Sequence, residues 1–135
     1  MRLAHLFRPW RIQQQQRINQ LTRKEKCTMA NSADLQRAES TSVGGDLSNT
    51  DLSNADLSGL GLMWISVNLE GANLSGINFG NTELNDARMI NANLRGANLS
   101  SARGLDTADL SNAKYNNSTM WPEGFDPTDR GAVLA

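Results

Sequence analysis

A large apolar residue recurs every five positions through most of the chain: Leu47, Leu52, Leu57 and Leu62, then Leu69, Leu74, Phe79, Leu84, Met89, Leu94 and Leu99, then Leu105, Leu110, Tyr115, Met120 and Phe125. Two positions ahead runs a second series of mostly small residues, including Ala55, Ala72, Ile77, Ala87, Ala92, Ala97, Ala108 and Ala113. Asp or Asn often stands between them, as at Asp46, Asp51, Asp56, Asn73, Asn78, Asn93, Asn98 and Asp109, and Ser, Asn or Gly mostly follows. A period of five fits neither the 3.6 of a helix nor the 2.0 of a strand. Two inward positions flanking one outward residue make a short extended segment. The polar pair behind it is turn material, because Gly and Asn tolerate positive φ cheaply. Extended segment and turn in alternation wind the chain into a cornered coil, and coils stack about 4.8 Å apart, each satisfying the backbone of its neighbours.

Segments such as Ala72-Asn73-Leu74-Ser75-Gly76 and Ala97-Asn98-Leu99-Ser100-Ser101 match the motif A(D/N)LXX, and the chain resembles the pentapeptide-repeat family over about residues 45–125. The resemblance implies an all-β fold, a right-handed quadrilateral β-helix with four pentapeptides per coil. About sixteen repeats then make about four coils and a rod roughly 20 Å long. Residues 115–127, from Tyr115 to Pro127, resemble the ending of cyanobacterial members. The expected core holds Leu47, Leu52, Leu57, Leu74, Phe79, Leu84, Met89, Leu94, Leu99 and Leu110. Open ends of stacked coils expose unpaired strand edges. Trp121 and Phe125, with Pro122, are expected to close the C-terminal end, and residues 31–44, with Leu35 and Val43 as plugs, the N-terminal one.

Two breaks interrupt the period. The first is the seven-residue step from Leu62 to Leu69, beside the apolar stretch Leu60-Gly61-Leu62-Met63-Trp64-Ile65-Ser66-Val67. In that register Met63 and Trp64 fall at outward positions, as does Ile90 on a neighbouring face. Exposed Met63, Trp64 and Ile90 are therefore candidate interaction residues. The competing reading is a bulge that folds Met63 and Trp64 back, or a cover supplied by the N-terminal segment. The second break, at Arg103-Gly104-Leu105, adds one residue, which Gly104 is expected to absorb.

The domain reading is a basic leader over 1–30, a cap or linker over 31–44, the repeats over 45–125 and a tail over 126–135. Charge divides the same way: residues 1–40 hold eight bases against three acids, and residues 41–135 five bases against eleven acids. The leader reads as a disordered tail, as a segment preceding a true start at Met29, or as an amphipathic anchor of Leu3, Leu6, Phe7 and Trp10 with arginines for an anionic membrane. It has no apolar stretch of secretory type, and the expected location is cytoplasmic. No apolar run approaches the 18 residues of a transmembrane helix.

Candidate chemistry is sparse. His5 and Cys27 are the single histidine and cysteine, and neither has a catalytic constellation around it in the sequence. With aromatic residues at 5%, a filled Leu/Ala core leaves no ligand cavity. No enzyme activity, cofactor or metal site is expected. The leading expectation is a rigid module that presents flat faces to a protein partner. DNA mimicry directed at a topoisomerase is the alternative that the resemblance suggests. Duplex DNA carries a charge every 1.7 Å or so, about twelve over 20 Å, and Asp46, Asp51 and Asp56 are expected to form a rim and not a stripe. Recruitment to a membrane surface through residues 1–28 is a third class. Specific nucleic-acid binding is not expected, and end-to-end stacking offers a route to a dimer.

Overall fold

The computed structural model describes residues 32–135. A nine-residue helix, α1 (Ser32–Ser40), precedes the repeats. Parallel pairings then join residues about twenty apart and form four ladders. The first ladder runs Asp46, Asn68, Arg88, Asp109; the second Asp51, Asn73, Asn93, Lys114, Val133. The third runs Asp56, Asn78, Asn98, Met120, and the fourth Met63, Glu83, Arg103. Four ladders met in turn every five residues define a four-faced coil. The last rung of the second ladder joins two short strands, β1 (Lys114–Tyr115) and β2 (Val133–Leu134). Residues read from the sequence as a tail therefore add one more rung.

Each repeat position has a physical reason. The residue after each Asp or Asn of a ladder points inward and donates its N–H to the coil above, as Leu47 does to Asn68 O at 2.7 Å and Leu74 to Asn93 O at 2.8 Å. The Asp or Asn side chain accepts the backbone N–H two residues on: Ser53 N–H to Asp51 Oδ1 at 3.1 Å, and Ser75 N–H to Asn73 Oδ1 at 3.2 Å. This side-chain turn is open to Asp and Asn alike. A following Ser adds its hydroxyl to the same acceptor, as Ser75 does at 2.8 Å. Most corners that follow use positive φ, taken for example by Asn54 (60°) and by Gly76 (66°), where a Cβ would run into the Asn54 side chain. Thr at the small inward position buries a hydroxyl that is paired: Thr50 donates to Leu47 O at 2.7 Å and Thr82 to Phe79 O at 2.6 Å, each three residues back, and Thr119 to Leu94 O at 2.8 Å in the coil below.

All ten residues expected in the core are buried. Their stacking gives four inward columns, and the core they fill has the rigidity of close packing. The first break lies elsewhere than the leucine spacing indicates. Ladder residues Asp56 and Met63 are seven apart, whereas Met63 and Asn68 are five apart. The two extra residues therefore precede Met63, in a loop where Gly59 (φ 78°) and Gly61 (φ 59°) flank Leu60. That shift makes Trp64, and not Leu62, the large inward residue. Leu62 takes the second inward position, two before it.

The second break follows Arg103. Gly104, at φ 80°, stands where a large residue normally sits, and Leu105 turns into the core one residue later in a 3₁₀ turn, Leu105–Thr107. A third break adds one residue beyond Tyr115. Met120 pairs with Asn98 and is 50% exposed, so Trp121, and not Met120, takes the inward position. Tyr115, Trp121 and Phe125 pack in sequence against the core end, with ring centroids 5.6 and 5.4 Å apart. At the opposite end α1 lies on the first coil with Leu35 and Ala38 buried, while Val43 is exposed and is no plug.

Candidate interaction surface

The three residues singled out from the sequence part company. Met63 faces outward at the base of the fourth ladder and is 53% exposed. Trp64 is 0% exposed, which overturns its placement on the surface. Its ring meets Phe79 edge-on at 6.2 Å and 89°, and its indole N–H donates to Ala38 O at 3.3 Å. Burial of the ring thus leaves no unpaired donor. Ile90 is half-buried on the first ladder's face, 27 residues beyond Met63 and so a little more than one coil above it. One coil step is about 5 Å, and the corner between the faces separates the two residues further.

The structure gathers other apolar residues around Met63. Leu60, held out by the glycine-flanked loop, is 38% exposed, and Val43 is 58% exposed. Gly44 N–H donates to Ile65 O at 2.8 Å, which sets Val43 below the half-buried Ile65 on the same side of the rod. Val43, Met63 and Ile65 thus border one apolar corner, after the fourth ladder, with Leu60 three residues before Met63 at the corner that precedes it. The sequence reading made Val43 a plug of the N-terminal end and gave Leu60 no surface role. The Gly-Leu-Gly step at residues 59–61 was the available signal, because two glycines in one corner release the residue between them from the inward register.

Charge borders this corner without filling it. Above Met63 on the fourth ladder, Arg103 pairs with Glu83 at 3.7 Å; across the corner, Arg88 pairs with Glu70 at 3.3 Å. Both are exposed pairs of small energetic worth. Asp46, Asp51 and Asp56 sit on three different ladders. Each begins its ladder, and the residues stacked above are Asn68, Asn73 and Asn78. No ladder among the described residues is an acidic stripe.

Three carboxyls titrate below their ordinary range, and each cause is a turn. The Ser48 backbone N–H and then its side chain hold Asp46 down. The Ser111 hydroxyl and backbone N–H do so for Asp109, and the Thr128 hydroxyl and backbone N–H for Asp126. These carboxylates are acceptors that shape corners. Among the described residues no group of three or more His, Cys, Asp and Glu could hold a metal ion, and no helix is long and apolar enough to cross a membrane. His5, Cys27 and the whole basic leader lie outside the described residues.

Residues 65–100 match the family model for pentapeptide repeats in eight copies. No curated protein matches the chain. Among solved structures, the chain is similar to alr5209, a pentapeptide repeat protein from Nostoc PCC 7120, at 28% identity, covering 80% of this chain and 98% of that one with a TM-score of 0.41. It is similar to HetL of the same cyanobacterium, a pentapeptide repeat protein involved in heterocyst differentiation regulation, at 25% identity over 65% of this chain and 35% of that one, TM-score 0.43. It also resembles Rfr23, a pentapeptide repeat protein of the cyanobacterium Cyanothece 51142, at 33% identity over 58% of this chain and 62% of that one, TM-score 0.36. The eight matched copies lie inside a longer run of rungs with nearly the same spacing, and residues 65–100 are pentapeptide repeats.

Proposed function

We propose that this chain is a non-enzymatic, cytoplasmic interaction module: a right-handed rod of about four coils that engages a protein partner through the apolar corner around Met63. The observation that carries the reading is the exposure of Met63 together with Leu60 and Val43 on one side of the rod. A rigid scaffold spares the backbone-ordering cost of binding, and exposed apolar side chains gather at interaction sites. The repeat core beneath them supplies the rigidity. Ile90 stands apart from this corner and is at most a peripheral contact in the reading.

Affinity capture from an extract of the native host tests it, with wild type, Met63→Lys and Ile90→Lys compared side by side. The reading predicts a specific partner retained by wild type and Ile90→Lys but lost with Met63→Lys. Retention of the same partner by a folded Met63→Lys protein would sink it. DNA mimicry gains no support from the placement of the acids, since Asp46, Asp51 and Asp56 rim one coil.

A further inference from the structure

Among the described residues the first coil has no coil beneath it, and α1 supplies what a coil would. Within the rod, each ladder residue sends its N–H down to the coil below: Asn73 to Thr50 O at 2.8 Å, Asn93 to Ala72 O at 3.0 Å. Its carbonyl accepts an N–H from the inward residue below, as Asn68 O does from Leu47 and Asn73 O from Leu52 at 2.9 Å. Asp46 and Asp51 hold these ladder positions in the first coil. Asp51 N–H donates to Asp34 Oδ2 at 2.8 Å, and Arg37 Nη2 donates to Asp46 O at 2.9 Å. The Asp34 carboxylate stands in for a missing carbonyl, and the Arg37 guanidinium for a missing N–H.

The spacing of the substitutes is that of the groups they replace. In a complete coil the donor and acceptor serving adjacent ladders are Leu47 N–H and Thr50 O, three residues apart around one corner. Asp34 and Arg37 are likewise three residues apart, one turn of α1. A short helix is held over the core by two buried side chains, the two rung-replacing hydrogen bonds and the Trp64 indole N–H on Ala38 O. Its buried apolar side chains are Leu35 and Ala38, and its Asp34–Arg37 ion pair spans 4.0 Å with the Arg37 side chain exposed. Nine residues fall short of the roughly 12–15 at which an isolated helix begins to persist in water. Few buried apolar contacts mark segments that open locally.

We propose that α1 is a displaceable cap, and that the edge beneath it is a docking site for an extended, corner-turning segment of another polypeptide that adds in parallel as one more rung. Such a segment offers a backbone N–H to Asp46 O and, three residues later, a carbonyl to Asp51 N–H. It also places an apolar side chain under the core that Leu35 and Ala38 otherwise cover. Strand addition to an exposed edge is a general mode of peptide recognition, and here α1 regulates access to that edge.

Amide hydrogen exchange on the full chain tests the proposal, in wild type and in Leu35→Ser, with a synthetic peptide of residues 45–58 as the probe and its scrambled form as control. In wild type the Asp51 amide exchanges together with the α1 amides and ahead of the Asn73 amide. In Leu35→Ser those rates rise about tenfold or more while Asn73 is unchanged, and excess peptide slows Asp51 again where the scrambled form does not. A single common rate for α1, Asp51 and Asn73 in wild type overturns the displaceable cap. A peptide that leaves Asp51 exchange unaltered in Leu35→Ser overturns the docking site.

Discussion

The indole N–H of Trp64 donates to the carbonyl of Ala38 at 3.3 Å, so the side chain that fills the base of the fourth inward column also fastens the helix that covers it. One residue earlier, Met63 points to solvent. Two adjacent residues that look alike in the sequence thus divide between core and surface, and the chain's stability and its proposed binding surface separate at that bond.

A lysine at position 63 or 60 is expected to leave the fold intact. Both side chains are exposed and neither is placed at a buried polar contact, so Met63→Lys and Leu60→Lys should each shift stability by no more than about 0.5 kcal/mol. Urea unfolding checks this. A large loss would mean that the apolar corner is packed against something in the folded chain.

Gly104 is expected to resist even a methyl group. Its φ of 80° strains any L side chain, and an added Cβ would lie 2.7 Å from the Asn85 backbone nitrogen. Gly104→Ala should cost about 1–3 kcal/mol of stability, read as a lower denaturation midpoint with unchanged slope. An unaffected midpoint would show that the bulge relaxes without penalty.

The acid response of the corners follows from the hydrogen bonds that the carboxylates accept. The Ser111 hydroxyl and backbone N–H hold Asp109 below the ordinary carboxylate range. A folded-state pKa depressed in this way contributes stability that is present above the unfolded value of about 3.9 and is lost as pH falls through the folded value. Ser111→Ala removes the hydroxyl and should raise the Asp109 pKa toward its ordinary value, followed by carboxyl carbon NMR. A titration that does not move would remove the hydroxyl from the account.

How much of this was legible depends on which repeat position is considered. The five-residue period, the inward leucines and the polar corners could be read from spacing, because each position has one backbone geometry and a narrow set of residues that fit it. The register at Trp64 could not. Leu57 and Leu62 preserve the five-residue spacing across the break, and Leu62 is itself buried in the smaller inward position, so counting apolar residues places the insertion after Leu62. The insertion in fact precedes Met63, at the glycine-flanked Leu60 loop. Met120 misleads for the same reason, since it keeps the period while Trp121 faces the core. The cap was legible only as a need. That Asp34 and Arg37 imitate a missing rung depends on hydrogen bonds between residues nine and seventeen apart, which no local pattern encodes.

The most direct test of the account is the unfolding free energy of Trp64→Ala measured beside that of Met63→Ala. Removing a fully buried Trp side chain should cost about 3–5 kcal/mol, whereas truncating the exposed Met63 should cost no more than about 0.5 kcal/mol. Equal small losses, or a larger loss at Met63, would contradict the register on which both the core and the proposed interaction surface rest.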